Sequence, residues 1–282
     1  MKRISMFLVA LFAFSVTAAW AQSKTPSGPT TRPLVLYDDF NGPRIDPAKW
    51  LGASMNDGVL REVVRELAPA DQDQGGNRAL HLFLRQYSWT GNDVGLGFAM
   101  LGLQFANPAS VTETSFAVVV KRAEVTGCQS NASPGHVEAD FIGHFFNTEA
   151  NPTSDVGDVE LVIDIHRDAT RTGSALSVDE YYTRIDDELG NRTTLDWKNL
   201  GWIYPGQLAR LRMKWDQPNH QFIFQLNKDP EVISAYSVPD MSPPNSPGKG
   251  IYIVPGVPSC TTTPLGSAMM DAYFDNVYVN AH

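Results

Sequence analysis

Between Gly157 and Asp168 the chain reads GDVELVIDIHRD. Side chains alternate across a strand. As a β-strand this segment therefore puts Val159, Leu161, Ile163 and Ile165 on one face and Asp158, Glu160, Val162, Asp164 and His166 on the other. The first set is a core face. The second is a row of carboxylates ending in an imidazole, and it suits either a solvated or hydrogen-bonded outer surface or the floor of a carbohydrate cleft.

The rest of the chain is built of similar segments. From Leu34 onward one short apolar run follows another, with Gly and Pro between them and almost no helical periodicity. Besides the 157–168 segment, the pattern predicts strands over Leu34–Phe40, Val59–Glu66, Ala79–Arg85, Leu96–Phe105, Ser115–Arg122 and Val137–Phe146. It predicts further strands over Val178–Ile185, Leu208–Trp215, His220–Leu226, Ile251–Val254 and Met269–Val279. The polar turn Asp216-Gln-Pro-Asn219 marks the Leu208 and His220 runs as a hairpin. About a dozen strands in one unit of this size imply an all-β, two-sheet antiparallel β-sandwich. No fixed-period repeat appears, which disfavours a propeller or solenoid.

Met1–Ala21 has the form of a secretory signal peptide: Lys2 and Arg3, the apolar run Met6–Val16, and Ala19-Trp20-Ala21 as the cleavage site. Gln22 rather than Cys follows the cut, which argues against a lipid anchor, and no later run approaches the ~20 apolar residues of a membrane span. The expectation is an exported chain, periplasmic or extracellular, with a flexible Ser/Thr/Pro-rich leader over residues 22–33 and a single domain over 34–282. Without the signal, 20 basic residues face 31 acidic ones, a formal charge of −11. That balance argues against nucleic acid, whose phosphates demand a basic surface, and against anionic lipid. A neutral partner or a bound cation fits it. The two cysteines, Cys128 and Cys260, are most simply a disulfide in an oxidising compartment. Such a bond would close a loop of about 130 residues.

Three stretches carry a family resemblance. Leu34-Val-Leu-Tyr-Asp-Asp-Phe-Asn-Gly42, followed by Ile45-Asp-Pro-Ala-Lys-Trp50, resembles the opening of concanavalin A-like jelly rolls, most of all that of family 16 glycoside hydrolases. Ala272-Tyr-Phe-Asp-Asn-Val-Tyr-Val279 resembles their last strand, and Arg210–Glu231 looks like a hairpin of laminin-G and lectin relatives. The likeness covers most of the chain in pattern but concentrates at its ends, and a family implies fold more firmly than activity.

The resemblance implies a catalytic Glu-x-Asp-x-Glu or Glu-x-Asp-x-x-Glu on the central strand. Aligned on the glycine, Asp158 takes the nucleophile's place, Glu160 the helper's, and Val162 or Ile163 that of the acid/base, where no proton donor remains. A two-residue slide leaves Glu160 and Asp164 as the only catalytic candidates, with no helper between them. Retaining hydrolysis needs carboxyls about 5–5.5 Å apart, whereas these Cα atoms would lie ~13 Å apart along a regular strand.

The leading expectation is therefore a non-catalytic carbohydrate-binding or structural module with a polysaccharide or glycan partner. A divergent glycoside hydrolase or lyase, and an interaction domain without a glycan, are the alternatives. Candidate ligand-binding residues are Tyr87, Trp89, His144, Glu160, Asp164 and His166, and one of Tyr181 and Tyr182 must face outward. The resemblance also implies one structural Ca²⁺, held by Asp39 and Asp275 with a carbonyl of Gly76, because hard oxygen donors suit that ion.

Overall fold

The computed structural model describes residues 33–56, 61–70 and 77–280. Their strands, in chain order, begin with β1 (Val35–Asp38), β2 (Trp50–Asn56), β3 (Arg61–Pro69), β4 (Arg78–Tyr87) and β5 (Leu96–Phe105). Next come β6 (Glu113–Thr126), β7 (His136–Asn147), β8 (Asp158–Asp168), β9 (Leu176–Ile185) and β10 (Arg192–Ile203). The last are β11 (Leu208–Asp216), β12 (Gln221–Leu226), β13 (Val232–Ala235), β14 (Lys249–Pro258) and β15 (Ser267–Val279). A single 3₁₀ turn, Gln217–Asn219, joins β11 to β12, with His220 left-handed at its end. No helix among the described residues is long and apolar enough to cross a membrane.

The strands form two antiparallel sheets. One runs β13-β12-β11-β6-β15-β4-β3, with β1 added on β15; the other runs β10-β9-β8-β7-β14-β5-β2. This is the all-β sandwich that the strand pattern predicts. Period-two alternation does the sorting. Leu80, Leu82 and Leu84 of β4, with Met270, Ala272 and Phe274 of β15, turn inward from the first sheet. Val159, Leu161, Ile163 and Ile165 meet them from β8 of the second, all fully buried. Each such side chain contributes about 1.5–3 kcal/mol of burial, so a one-residue slip of β8 would bring four acidic or imidazole groups into the core.

The opening motif has a structural use. Asp38 accepts hydrogen bonds from the Trp50 indole (2.7 Å) and the Phe40 amide (2.9 Å). Trp50 in turn stacks on Phe40 and Phe105. Cys128 and Cys260 are disulfide-bonded, with Cα atoms 5.7 Å apart. The bond lies two residues beyond the ends of β6 and β14, so it ties a strand end of one sheet to a strand end of the other.

Candidate functional site

The outer face of the seven-stranded sheet is assembled by register. Across β7, β8 and β9, Asp140 pairs with Asp164 and Asp164 with Asp179, a row of three aspartates. Tyr252 of β14 continues the row on one side and Asn199 of β10 on the other. One row along, Glu138 faces His166 and His166 faces Ser177; in the other direction His144 faces Glu160. Gly157, at φ +88, makes the entry to β8 possible: a Cβ there would lie 2.6 Å from the Asn147 amide oxygen, and left-handed backbone favours glycine.

Two buried charge clusters result. His144 lies 3.3 Å from Asp158 through Nδ1 and 3.1 Å from Glu160 through Nε2. Asp158 also accepts from the Asn147 side chain and from the Asn245 and Ser246 amides, while Arg192 approaches Glu160 at 3.3 Å. Burial opposes charge on His144, but the two carboxylates outweigh it and raise its pKa to about 9. Burial likewise pushes Asp158 and Glu160 up, and it is overcome by His144 with the amides for Asp158, and by His144 and Arg192 for Glu160. Both acids end below the usual range.

The second cluster is His166 with Asp164 and Asp179, at 3.5 and 2.9 Å from Nδ1. These are ion-pair distances, yet neither the Asp164 nor the Asp179 oxygen that faces Nδ1 makes a directed hydrogen bond, and nor does Nδ1. Burial of His166 is again outweighed by the carboxylates, which raise it to about 10. Asp140, with no exposed surface, has no partner on either oxygen, and burial first, then the neighbouring acids, hold its pKa far above the carboxylate range. Burial, then Asp164, pushes Glu138 up to about 8, although a fifth of that side chain is open to the cleft.

Three depressions join over this face. The first, about 350 Å³, includes His144, Asp155, Glu188 and Arg192. The second, about 490 Å³, shares His144 and Arg192 and adds Glu138, Glu160, Tyr181, Tyr252 and Phe98. The third, also about 490 Å³, shares Glu138 and Tyr181 and adds Asp164, His166, Thr194 and Trp197. A separate pocket of about 260 Å³ on the other sheet, beside Lys121, Arg210 and Asp275, touches none of these groups.

Of the residues singled out in the sequence, the structure thus brings His144, Glu160, Asp164 and His166 onto one face. Tyr181 is the outward tyrosine, and Tyr182 is in the core. The β8 row is not a solvated surface: Asp158, Glu160 and Asp164 are buried beneath the cleft and held by neighbours. Tyr87 belongs to the other sheet, where its hydroxyl bonds Glu62, and Trp89 follows that strand with its ring exposed. Pattern reading missed Glu138, Asp140, Asp179, Arg192, Trp197 and Tyr252. The alternation of β7 and β9, applied as it was to β8, places the first three on the same face.

Asp39 accepts from the Asn41 amide, and Asp275 from the Asn276 backbone and side-chain amides. The two aspartates line different pockets, and Lys49 pairs with Asp38 rather than Asp39. Gly76 lies outside the described residues. Two carboxylates are donors that Ca²⁺ accepts, and calcium at this place is a proposal.

No protein-family model matches the sequence, and no curated relative matches it. Solved structures do. A GH16 protein of the Bacteroides ovatus mixed-linkage glucan PUL, in complex with a G4G4G3G product, aligns at 11% identity with a TM-score of 0.48, covering 86% of this chain and 98% of that one. LamAcat from Zobellia galactanivorans aligns at 10% identity and 0.41, over 87% and 96%. Lectin II from Ulex europaeus aligns at 12% and 0.30, over 80% and 97%. At this level of likeness no substrate or residue role passes from those proteins to this chain.

Proposed function

We propose that the protein binds a polysaccharide along the outer face of the seven-stranded sheet, without cleaving it. The observation that carries this reading is the set of three joined depressions, which share His144, Arg192, Glu138 and Tyr181 at their junctions. A run of linked subsites suits a chain of sugar rings better than one compact ligand. The lining suits it too: carboxylates and imidazoles for hydroxyl groups, and the amphipathic faces of Tyr181, Tyr252 and the half-exposed Trp197 for stacking. The acids of β8 are unsuited to a retaining pair. Asp158 is enclosed by three donors besides His144, Glu160 is held by His144 and Arg192, and Asp164 lies against His166.

The test pairs affinity retardation on laminarin, lichenan, agarose and a wide glycan panel with a reducing-end assay on the same polymers. Retention without turnover is expected, weakened ~10-fold by Trp197→Ala or Tyr181→Ala, the order of one aromatic contact. Turnover lost on Glu138→Gln would replace this reading with an enzyme whose proton donor comes from β7. No retention on any glycan would move the reading to a protein-interaction domain.

A further inference from the structure

We propose that Asp164, His166 and Asp179 hold a divalent transition-metal ion in the floor of this cleft. The proposal stands whether or not the cleft takes a glycan. The donor atoms, one from each residue, all lie within 4.8 Å of one another. His166 Nδ1 sits 2.9 Å from Asp179 Oδ2 and 3.5 Å from Asp164 Oδ1. Donors at ~2.1 Å from a tetrahedral ion are about 3.4 Å apart; the His166–Asp164 spacing matches this, and the His166–Asp179 pair would open by about half an ångström to admit the ion. None of the three facing atoms makes a directed hydrogen bond, although Asp164 and Asp179 are almost completely buried.

The surroundings favour an ion over a bare ion pair. Asp179 uses its other oxygen, Oδ1, to accept from Ser177 Oγ (3.0 Å) and Asn199 Nδ2 (2.6 Å), which fixes the carboxylate with Oδ2 turned to His166. Outer bonds of this kind orient metal ligands.

Independently, Asp140 stands directly opposite Asp164 on the same face, fully buried, with neither oxygen partnered. Three aspartates thus stand in one row across β7, β8 and β9. A doubly charged ion bound there replaces the proton that a ligating His166 Nδ1 must release, and so adds one net positive charge to the row. The third depression, lined by both Asp164 and His166, gives an entry path and leaves a coordination position for water or a sugar hydroxyl. An imidazole with two carboxylates suits Zn²⁺, Mn²⁺ or another first-row ion better than Ca²⁺ or Mg²⁺, which prefer oxygen alone. The other close group, Asp93 with Cys128 and Cys260, is spent in the disulfide.

The experiment uses untagged, chelator-stripped protein titrated calorimetrically with Zn²⁺ and Mn²⁺. One equivalent is expected to bind, with affinity reduced at least ~10-fold by His166→Gln or Asp179→Asn and ~10-fold by Asn199→Ala, the usual effect of losing an outer partner. His81→Gln, on the other sheet, is expected to leave binding unchanged. Should the cleft variants fail to fold, Co²⁺ added to the wild type reports directly, through visible bands of a nitrogen and oxygen site that Zn²⁺ abolishes. No binding up to ~1 mM metal, binding indifferent to His166→Gln in a folded variant, or displacement of Zn²⁺ by equimolar Ca²⁺ would each overturn the proposal. Loss of glycan retention alone would not, since the metal is read without a glycan.

Discussion

On the outer face of the eight-stranded sheet, Asp271 is shared by His81 (3.0 Å) and Arg122 (3.1 Å), and Arg212 bridges Glu113 and Glu231. On the outer face of the seven-stranded sheet, neither oxygen of Asp140 has a hydrogen-bond partner among the described residues. Both faces carry acids and imidazoles at alternate positions. On the first, nearly every acid meets a base at the edge of solvent, Arg85 and Arg122 lie over Phe83, and His81 stacks on Tyr273. On the second, Glu138, Asp140, Asp158, Glu160, Asp164 and Asp179 face three imidazoles, those of His136, His144 and His166, and one guanidinium, that of Arg192. Exposed pairs contribute little to stability. Buried, unbalanced acids oppose it. The contrast supports the proposal that the second sheet carries the binding face.

The largest expected effect comes from cutting the tie between the two faces. Cys128→Ser with Cys260→Ser releases a loop spanning 132 residues, for which chain entropy gives up to ~5 kcal/mol. Urea unfolding should show a loss of that order, and thiol titration of the denatured, unreduced wild type should find no free cysteine. Hydrogen exchange sharpens the comparison: if protection falls on β7–β9 but not on β4 and β15, the polar face depends on the tie more than its counterpart does.

His144→Gln removes the cation from the first buried cluster. The folded imidazole titrates at about 9, against ~6.5 for an unfolded one. Its contribution is therefore complete below pH ~6.5 and disappears as pH rises through about 9. Asp158 and Glu160, both lowered, add stability that is lost in the opposite direction, as pH falls into the carboxylate range. The difference in unfolding free energy between wild type and variant should be about 3 kcal/mol at pH 6 and shrink toward pH 10. A difference that is flat across this range would show that His144 is not held as a buried cation.

The sequence disclosed the sandwich because its interior strands obey period two. Leu96–Phe105 matches β5 end to end, and the other interior strands are located to within a few residues. The strands that escaped notice, Trp50–Asn56, Arg192–Ile203 and Val232–Ala235, are all sheet edges. An edge is less buried, so its alternation is weak. β10 is further broken by register shifts between Thr194 and Asp196 and between Asn199 and Gly201. The site was half legible for a related reason. Alternation assigns β8 residues to a face, but only register says which residues of β7, β9 and β14 stand beside them. Asp140, Asp179 and Tyr252 became neighbours of Asp164 through pairings with no local signature. The same lack of a third dimension grouped Tyr87 and Trp89 with residues of the other sheet.

A smaller effect, of opposite sign on the two faces, tests whether the acids of the cleft are kept at a cost. In metal-free buffer, Asp140→Leu removes a buried carboxyl without a partner and should raise stability by about 1–3 kcal/mol. Asp271→Asn removes the acceptor of His81 and Arg122 and should lower it by about 1 kcal/mol. Equal losses in both variants would erase the contrast between the faces.

The smallest effect concerns calcium, which we propose at Asp39 and Asp275. Both carboxylates already accept amides, so an ion there must share oxygens that the fold uses without it. That sharing implies weak binding, in the range of extracellular calcium modules with Kd near ~1 mM. Ten-fold excess over such a Kd adds only about 1.4 kcal/mol, a rise in Tm of about 2–4 °C for a domain of this size. The rise should vanish with chelator and with Asp275→Asn, and survive His166→Gln. The last variant separates an oxygen site on the eight-stranded sheet from the imidazole site on the other, so each face can be assigned its own cation or none. A Tm unmoved by calcium would remove the ion from the first face and leave its acids as surface pairs.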